Sequence, residues 1–138
     1  MKELDLDKLD QEIRRTLIEF GFEGEFKPFA FYDRYNPLGS NIVVQTADCS
    51  ICEHEVDPIL TLFERNHIEE GQARFVGFRI EGAYSFERDE FMPDNKLSVS
   101  LILSAISLGA SPKTKGAIRE VCLPIIEDFK LDKVGIPA

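Results

Sequence analysis

The chain has 138 residues, with 16 basic and 25 acidic side chains, a net charge of −9 and 43% apolar residues. That balance, with 11 phenylalanines, can fill a core and argues against disorder. The negative field argues against a protein that binds nucleic acid by neutralising phosphates.

The length predicts one domain over residues 1–138. Cys49, Cys52 and Cys122 are the three cysteines. An odd, low number argues against a disulfide framework and for a reducing compartment. The start, Met1-Lys2-Glu3-Leu4-Asp5, lacks the basic-then-apolar order of a signal peptide. The most apolar stretch, residues 97–110, is too short to cross a bilayer and is broken by Ser98, Ser100, Ser104 and Ser107. The expectation is a cytoplasmic protein without a membrane partner.

In chain order, Leu6, Leu9, Ile13, Leu17 and Phe20 recur at helical spacing and predict an amphipathic helix. Asp5 or Asp7 suits its start and Gly21 its end. Aromatic residues then alternate from Lys27 to Asp33, as in a strand. The run Asn36-Pro37-Leu38-Gly39-Ser40-Asn41 is rich in turn formers, and Ile42-Val43-Val44-Gln45-Thr46 reads as a returning strand.

Residues 52–66 fit two templates. As a strand, Cys52, His54, Val56, Pro58, Leu60 and Leu62 share one face, with Glu53, Glu55 and Asp57 mostly on the other. As a helix, Asp57 would be the N-cap and Pro58 the first helical residue. The strand is the preferred reading. Val76, Phe78 and Ile80 alternate with Gly77, Arg79 and Glu81 in a clearer strand. Residues 83–95 look irregular.

Residues 96–108 fit either period, with a helix ending at Gly109 preferred. Ser111-Pro112 opens a last helix whose apolar stripe is Ile118, Val121, Cys122, Ile125, Ile126 and Phe129. Pro124 lies inside this stripe and should distort the helix near residue 120. Residues 133–138 are expected to fray. The resulting fold class is α+β: an antiparallel β-meander of about four strands, with an N-terminal helix and one or two C-terminal helices packed on it.

The constellation Cys49-Ser50-Ile51-Cys52-Glu53-His54 carries the clearest chemistry. Two thiols three residues apart can form a redox pair or hold a metal ion. Residues 43–52, followed by Pro58-Ile59-Leu60, resemble the strand, CxxC turn and helix of the thioredoxin family. That resemblance implies an oxidoreductase with Cys49 as nucleophile and Cys52 as resolving thiol. Asp48 and Glu53 flank the pair, and negative charge disfavours the thiolate. The plainer reading makes both cysteines small strand residues. A metal site would take Cys49, Cys52 and His54, but His67 and Cys122 supply no second ligand pair. No phosphate loop, dinucleotide fingerprint or hydrolase motif occurs, so no cofactor is expected.

Tyr32-Asp33, Ile42-Val43-Val44, residues 53–62 and Val76-Gly77-Phe78-Arg79-Ile80 together resemble a group of small β-meander domains. Some of that group are described as antitoxins paired with a small toxin. The resemblance implies a meander and a protein partner. With the charge of −9, it predicts an interaction module that neutralises a basic protein. The alternative is the thiol oxidoreductase. Tyr32, Tyr35, Tyr84 and Phe91, if exposed, would form a homodimer patch.

Overall fold

The computed structural model describes residues 26–35 and 39–137. The amphipathic helix predicted from Leu6 to Phe20 lies outside them. Strands β1 (Phe29–Asp33) and β2 (Asn41–Gln45) form the expected hairpin, pairing Tyr32 with Ile42 and Ala30 with Val44. The ambiguous segment is extended, and it divides into β3 (Ile51–Asp57) and β4 (Leu60–Arg65). The N-cap and proline that could have opened a helix make a turn instead: the Ile59 N–H donates to Asp57 Oδ1 at 2.7 Å. Strand β5 (Phe75–Glu81) completes a five-stranded sheet of order β1-β2-β5-β4-β3.

Every neighbouring pair in this sheet is antiparallel. Strands β3, β4 and β5 follow one another as a meander. The hairpin joins at β5, so the link from β2 to β3 crosses to the far edge of the sheet. The four strands β2 to β5 are thus a Greek key. Dividing residues 52–66 in two is what raises the strand number above the four expected.

The C-terminal part packs on one face of the sheet. Strand β6 (Leu97–Ser98) leads directly into α1 (Val99–Leu108). Helix α2 (Pro112–Ala117) passes into a π turn (Ile118–Cys122) and then α3 (Leu123–Phe129). The π turn stands where Pro124 was expected to act. Proline has no N–H for the Glu120 carbonyl, and its ring pushes against that group. The helix responds by widening, and the Leu123 N–H reaches back five residues to the Ile118 carbonyl.

Residues 133–136 are held against the core instead of fraying, and Ala138 lies outside the described residues. Helix α3 closes with Lys130 in the left-handed region, at φ 54°, and the Leu131 N–H donates to the Ile126 carbonyl at 3.0 Å. Strand β7 (Lys133–Val134) then pairs with β6, placing Val134 against Leu97, and Val134 is buried. Asp132 Oδ1 accepts the Ser100 N–H at 2.7 Å, and the Asp132 carbonyl accepts that of Val99 at 2.8 Å. These contacts cap α1 from 32 residues downstream. Apolar burial and a capping role hold a segment that its terminal position suggested was loose.

The core follows the strand period. Tyr32, Ile42, Ile80 and Leu60 make one cross-strand row toward the helices, and Val44, Phe78 and Leu62 belong to the next. Val99, Ile102, Leu103, Ile118, Cys122 and Ile126 meet them from α1 and the last helix. Cys122 is a core residue, and burial pushes its thiol well above the usual range. Among the described residues no helix is long and apolar enough to cross a membrane.

Candidate functional site

The alternate residues of the same strands form the second face of the sheet. Its central row runs Phe31, Val43, Arg79, Thr61, Glu55. The flanking row on the β3 side ends Gly77, Phe63, Glu53. Gly77 is required there: a Cβ would sit 2.0 Å from the Val44 carbonyl oxygen. The close backbone approach keeps β2 and β5 in register and lets Arg79 project from a fixed point.

Arg79 organises this face. Its Nη1 pairs with Glu53 Oε1, and its Nε donates to Glu81 Oε1 at 2.6 Å. The guanidinium carbon stands 5.8 Å from the centre of the Phe63 ring. Partial burial works against the charge of Arg79, but the hydrogen bonds it donates to Glu53 and Glu81, together with their negative charges, outweigh it and raise its pKa further. Arg79 is therefore a permanent cation clamped between two carboxylates.

Beside it lies a cavity of about 480 Å³ lined by Glu53, Glu55, Pro58, Thr61, Arg79 and Glu81. Three carboxylates face one guanidinium. Glu55 pairs with no cation among the described residues. The cavity opens at β3, the edge strand, where Cys52, Glu53, His54 and Glu55 are exposed in succession. Asp57 departs from the alternation predicted for it. A bulge between Glu55 and Asp57 turns its carboxylate toward the helices, where Oδ2 accepts from the Thr114 hydroxyl at 3.3 Å.

The cysteine constellation is placed differently from either of its functional readings. Cys49 is half-buried in the link from β2 to β3, and Cys52 is the second residue of β3. Both are free thiols, and the Cys52 Sγ donates to Asn66 Oδ1 at 3.1 Å. Residues 51–57 are extended, so the helix start that would lower a thiol pKa in a thioredoxin-like site is missing at Cys52. His54 faces Glu64, with Nε2 and Oε1 3.4 Å apart, and Arg74 holds the other oxygen of Glu64. The hydrogen bond from Arg74 keeps the Glu64 carboxyl below its ordinary pKa, and the His54 contact adds to this. Among the described residues no group of three or more His, Cys, Asp or Glu is arranged to hold a metal ion, including Cys49, Cys52 and His54.

Two of the four aromatics proposed for a homodimer patch are core residues. Tyr32 is 1% and Phe91 7% exposed. Phe91 stacks edge-on against Phe86, and Tyr32 lies in the first row of the sheet. Tyr35 and Tyr84 are exposed, and the Arg34 guanidinium lies 5.9 and 5.8 Å from their ring centres. Arg34 also pairs with Glu87 at 3.2 Å.

The composition of the acidic cavity has a partial signature in the sequence. The alternation Glu53-x-Glu55 and the alternation Arg79-x-Glu81 each put their charges on one face. Nothing in either segment says that the two strands lie on either side of β4 with those faces aligned. No protein-family model, curated protein or solved structure matches the chain.

Proposed function

We propose that the protein is a non-catalytic interaction module, and that the acidic cavity at β3 receives a basic side chain of a protein partner. The observation that carries this reading is the excess of carboxylate at the β3 edge, with Glu55 uncompensated among the described residues beside the Glu53–Arg79–Glu81 cluster. A lysine or arginine entering there gains one free carboxylate. It can also compete for those held by Arg79. The chain's charge of −9 adds long-range attraction for a basic protein. Three free thiols suit a cytoplasmic setting. A toxin-neutralising or immunity-like role fits this chemistry, because masking a basic surface blocks its contact with nucleic acid.

The test is affinity capture from the source lysate with the native chain and with Glu53→Lys/Glu55→Lys. The native chain should retain a basic protein, and the double variant should lose it. Retention should also fall steeply toward about 1 M salt, where the screening length shrinks to about 3 Å. Retention of the same proteins by both chains, or binding indifferent to salt, would overturn the reading.

A further inference from the structure

The stretch from α1 into the start of the last helix differs in charge from the rest of the molecule. Residues 96–119 contain four cations, Lys96, Lys113, Lys115 and Arg119, and no carboxylate, within a chain of net charge −9. Between α1 and the last helix lies a cleft of about 380 Å³, within the size range of small-ligand pockets, about 300–1,000 Å³. Lys115 and Arg119 line it from one helix, and Ser104 and Ser107 line it from the other. Each of these four side chains can donate a hydrogen bond, and none is an anion.

The charges in the cleft are nearly uncompensated. Lys115 pairs with no carboxylate among the described residues. Arg119 meets Glu120 at 3.6 Å with both side chains about three-quarters exposed, at 74% and 73%, a contact that solvent largely screens. The remaining wall is apolar. Ile118 and Leu123 are partly or fully buried there, and Leu108 stands 85% exposed at the rim. An isolated exposed leucine is ordinary on a protein surface. Here it is one helical turn from Ser104, directly follows Ser107 and borders the cationic cleft, so polar and apolar contacts converge on one volume.

We propose that this cleft binds a small amphiphilic anion. A carboxylate or phosphate head would sit against Lys115 and Arg119, with hydrogen bonds from Ser104 or Ser107. A short apolar tail would lie along Ile118 and Leu123 and cover Leu108. The proposal does not depend on the acidic cavity at β3, which is built from different elements.

The experiment is an NMR titration of the full chain, labelled with ¹⁵N, against decanoate, decyl phosphate, decanol and inorganic phosphate. Both anionic amphiphiles should saturate, with shifts concentrated between residues 104 and 123. The better of the two identifies the head group. Decanol and inorganic phosphate should bind at least about tenfold more weakly, since each lacks half of the contacts. Lys115→Glu/Arg119→Glu should weaken both amphiphiles by about tenfold or more while keeping a dispersed spectrum. Leu108→Ser, at an exposed position, should weaken them without changing the response to inorganic phosphate. Absence of saturation, equal binding of decanol or inorganic phosphate, or unchanged affinity in the double variant would overturn the proposal.

Discussion

The two faces of the central sheet are made by alternate residues of the same strands, and they do opposite work. Phe78 and Arg79 are neighbours on β5. Phe78 is fully buried under the helices, whereas Arg79 lies among Glu53, Glu81 and the Phe63 ring. The helix-facing row is apolar from Tyr32 to Leu60, and the other runs from Phe31 through Arg79 to Glu55. A shift of one residue in register would exchange the two faces. Apolar side chains thus fill the row under the helices, and the charged groups gather on the other face.

The sharpest way to break this contrast is to substitute the neighbours one at a time. Phe78→Ala should cost about 3–5 kcal/mol by urea denaturation, because it opens a cavity at the centre of the core. Arg79→Ala should cost about 1 kcal/mol or less, since its ion pairs are partly solvated. It should also strengthen capture of a basic partner, because Glu53 and Glu81 are released. A comparable loss of stability from both substitutions would show that the second face is structural. Gly77→Ala tests the scaffold beneath Arg79. Its Cβ would overlap the Val44 carbonyl, and the forced separation of β2 from β5 should cost about 3 kcal/mol, the upper end of the overpacking range.

Smaller effects sharpen the comparison. Asp132→Ala should lose about 0.5–2 kcal/mol through the cap of α1, with faster amide exchange at Val99 and Ser100. Glu53→Lys/Glu55→Lys should cost about 1 kcal/mol or less through the lost Glu53–Arg79 pair while abolishing partner capture. Two titrations close the series. The Glu64 carboxyl is held low by Arg74, so its contribution is present above the ordinary carboxylate range and fades as the pH falls through it. Glu64→Gln should flatten the acid limb of the stability profile. The Tyr32 phenol is raised by burial, then by the Glu87 charge, against opposing effects of Ser40 and Arg34. Its contribution is complete below the usual phenol pKa of 10.0 and declines as the pH rises beyond it. Tyr32→Phe should make that alkaline decline shallower.

The sequence was most legible where a single period governed a segment. The alternation of Val76, Phe78 and Ile80 gave β5, and the stripe from Ile118 to Phe129 gave the last helix. It was least legible where the deciding partner was distant. Asp57-Pro58 could open a helix or turn a strand, and the lateral pairing of Leu60 with Ile80 selected the turn. Nothing local to Asp132 marked it as a cap, yet its partners are the first amides of α1. The candidate site shows the same division. Each pair of charges was visible along its own strand, but the Greek-key order that sets them across β4 was not. The CxxC spacing, conspicuous in one dimension, fell on a link and an extended edge instead of a helix start.

The cap supplied by Asp132 also bears on synthesis. Helix α1 is translated 32 residues before the carboxylate that receives its Ser100 amide. A nascent chain emerging from the ribosome must hold those first amides in water, or in some interim arrangement, until residue 132 has cleared the exit tunnel. The Greek-key strands are complete by Glu81, so the sheet can assemble first and present its apolar rows while the helical cover is still being made.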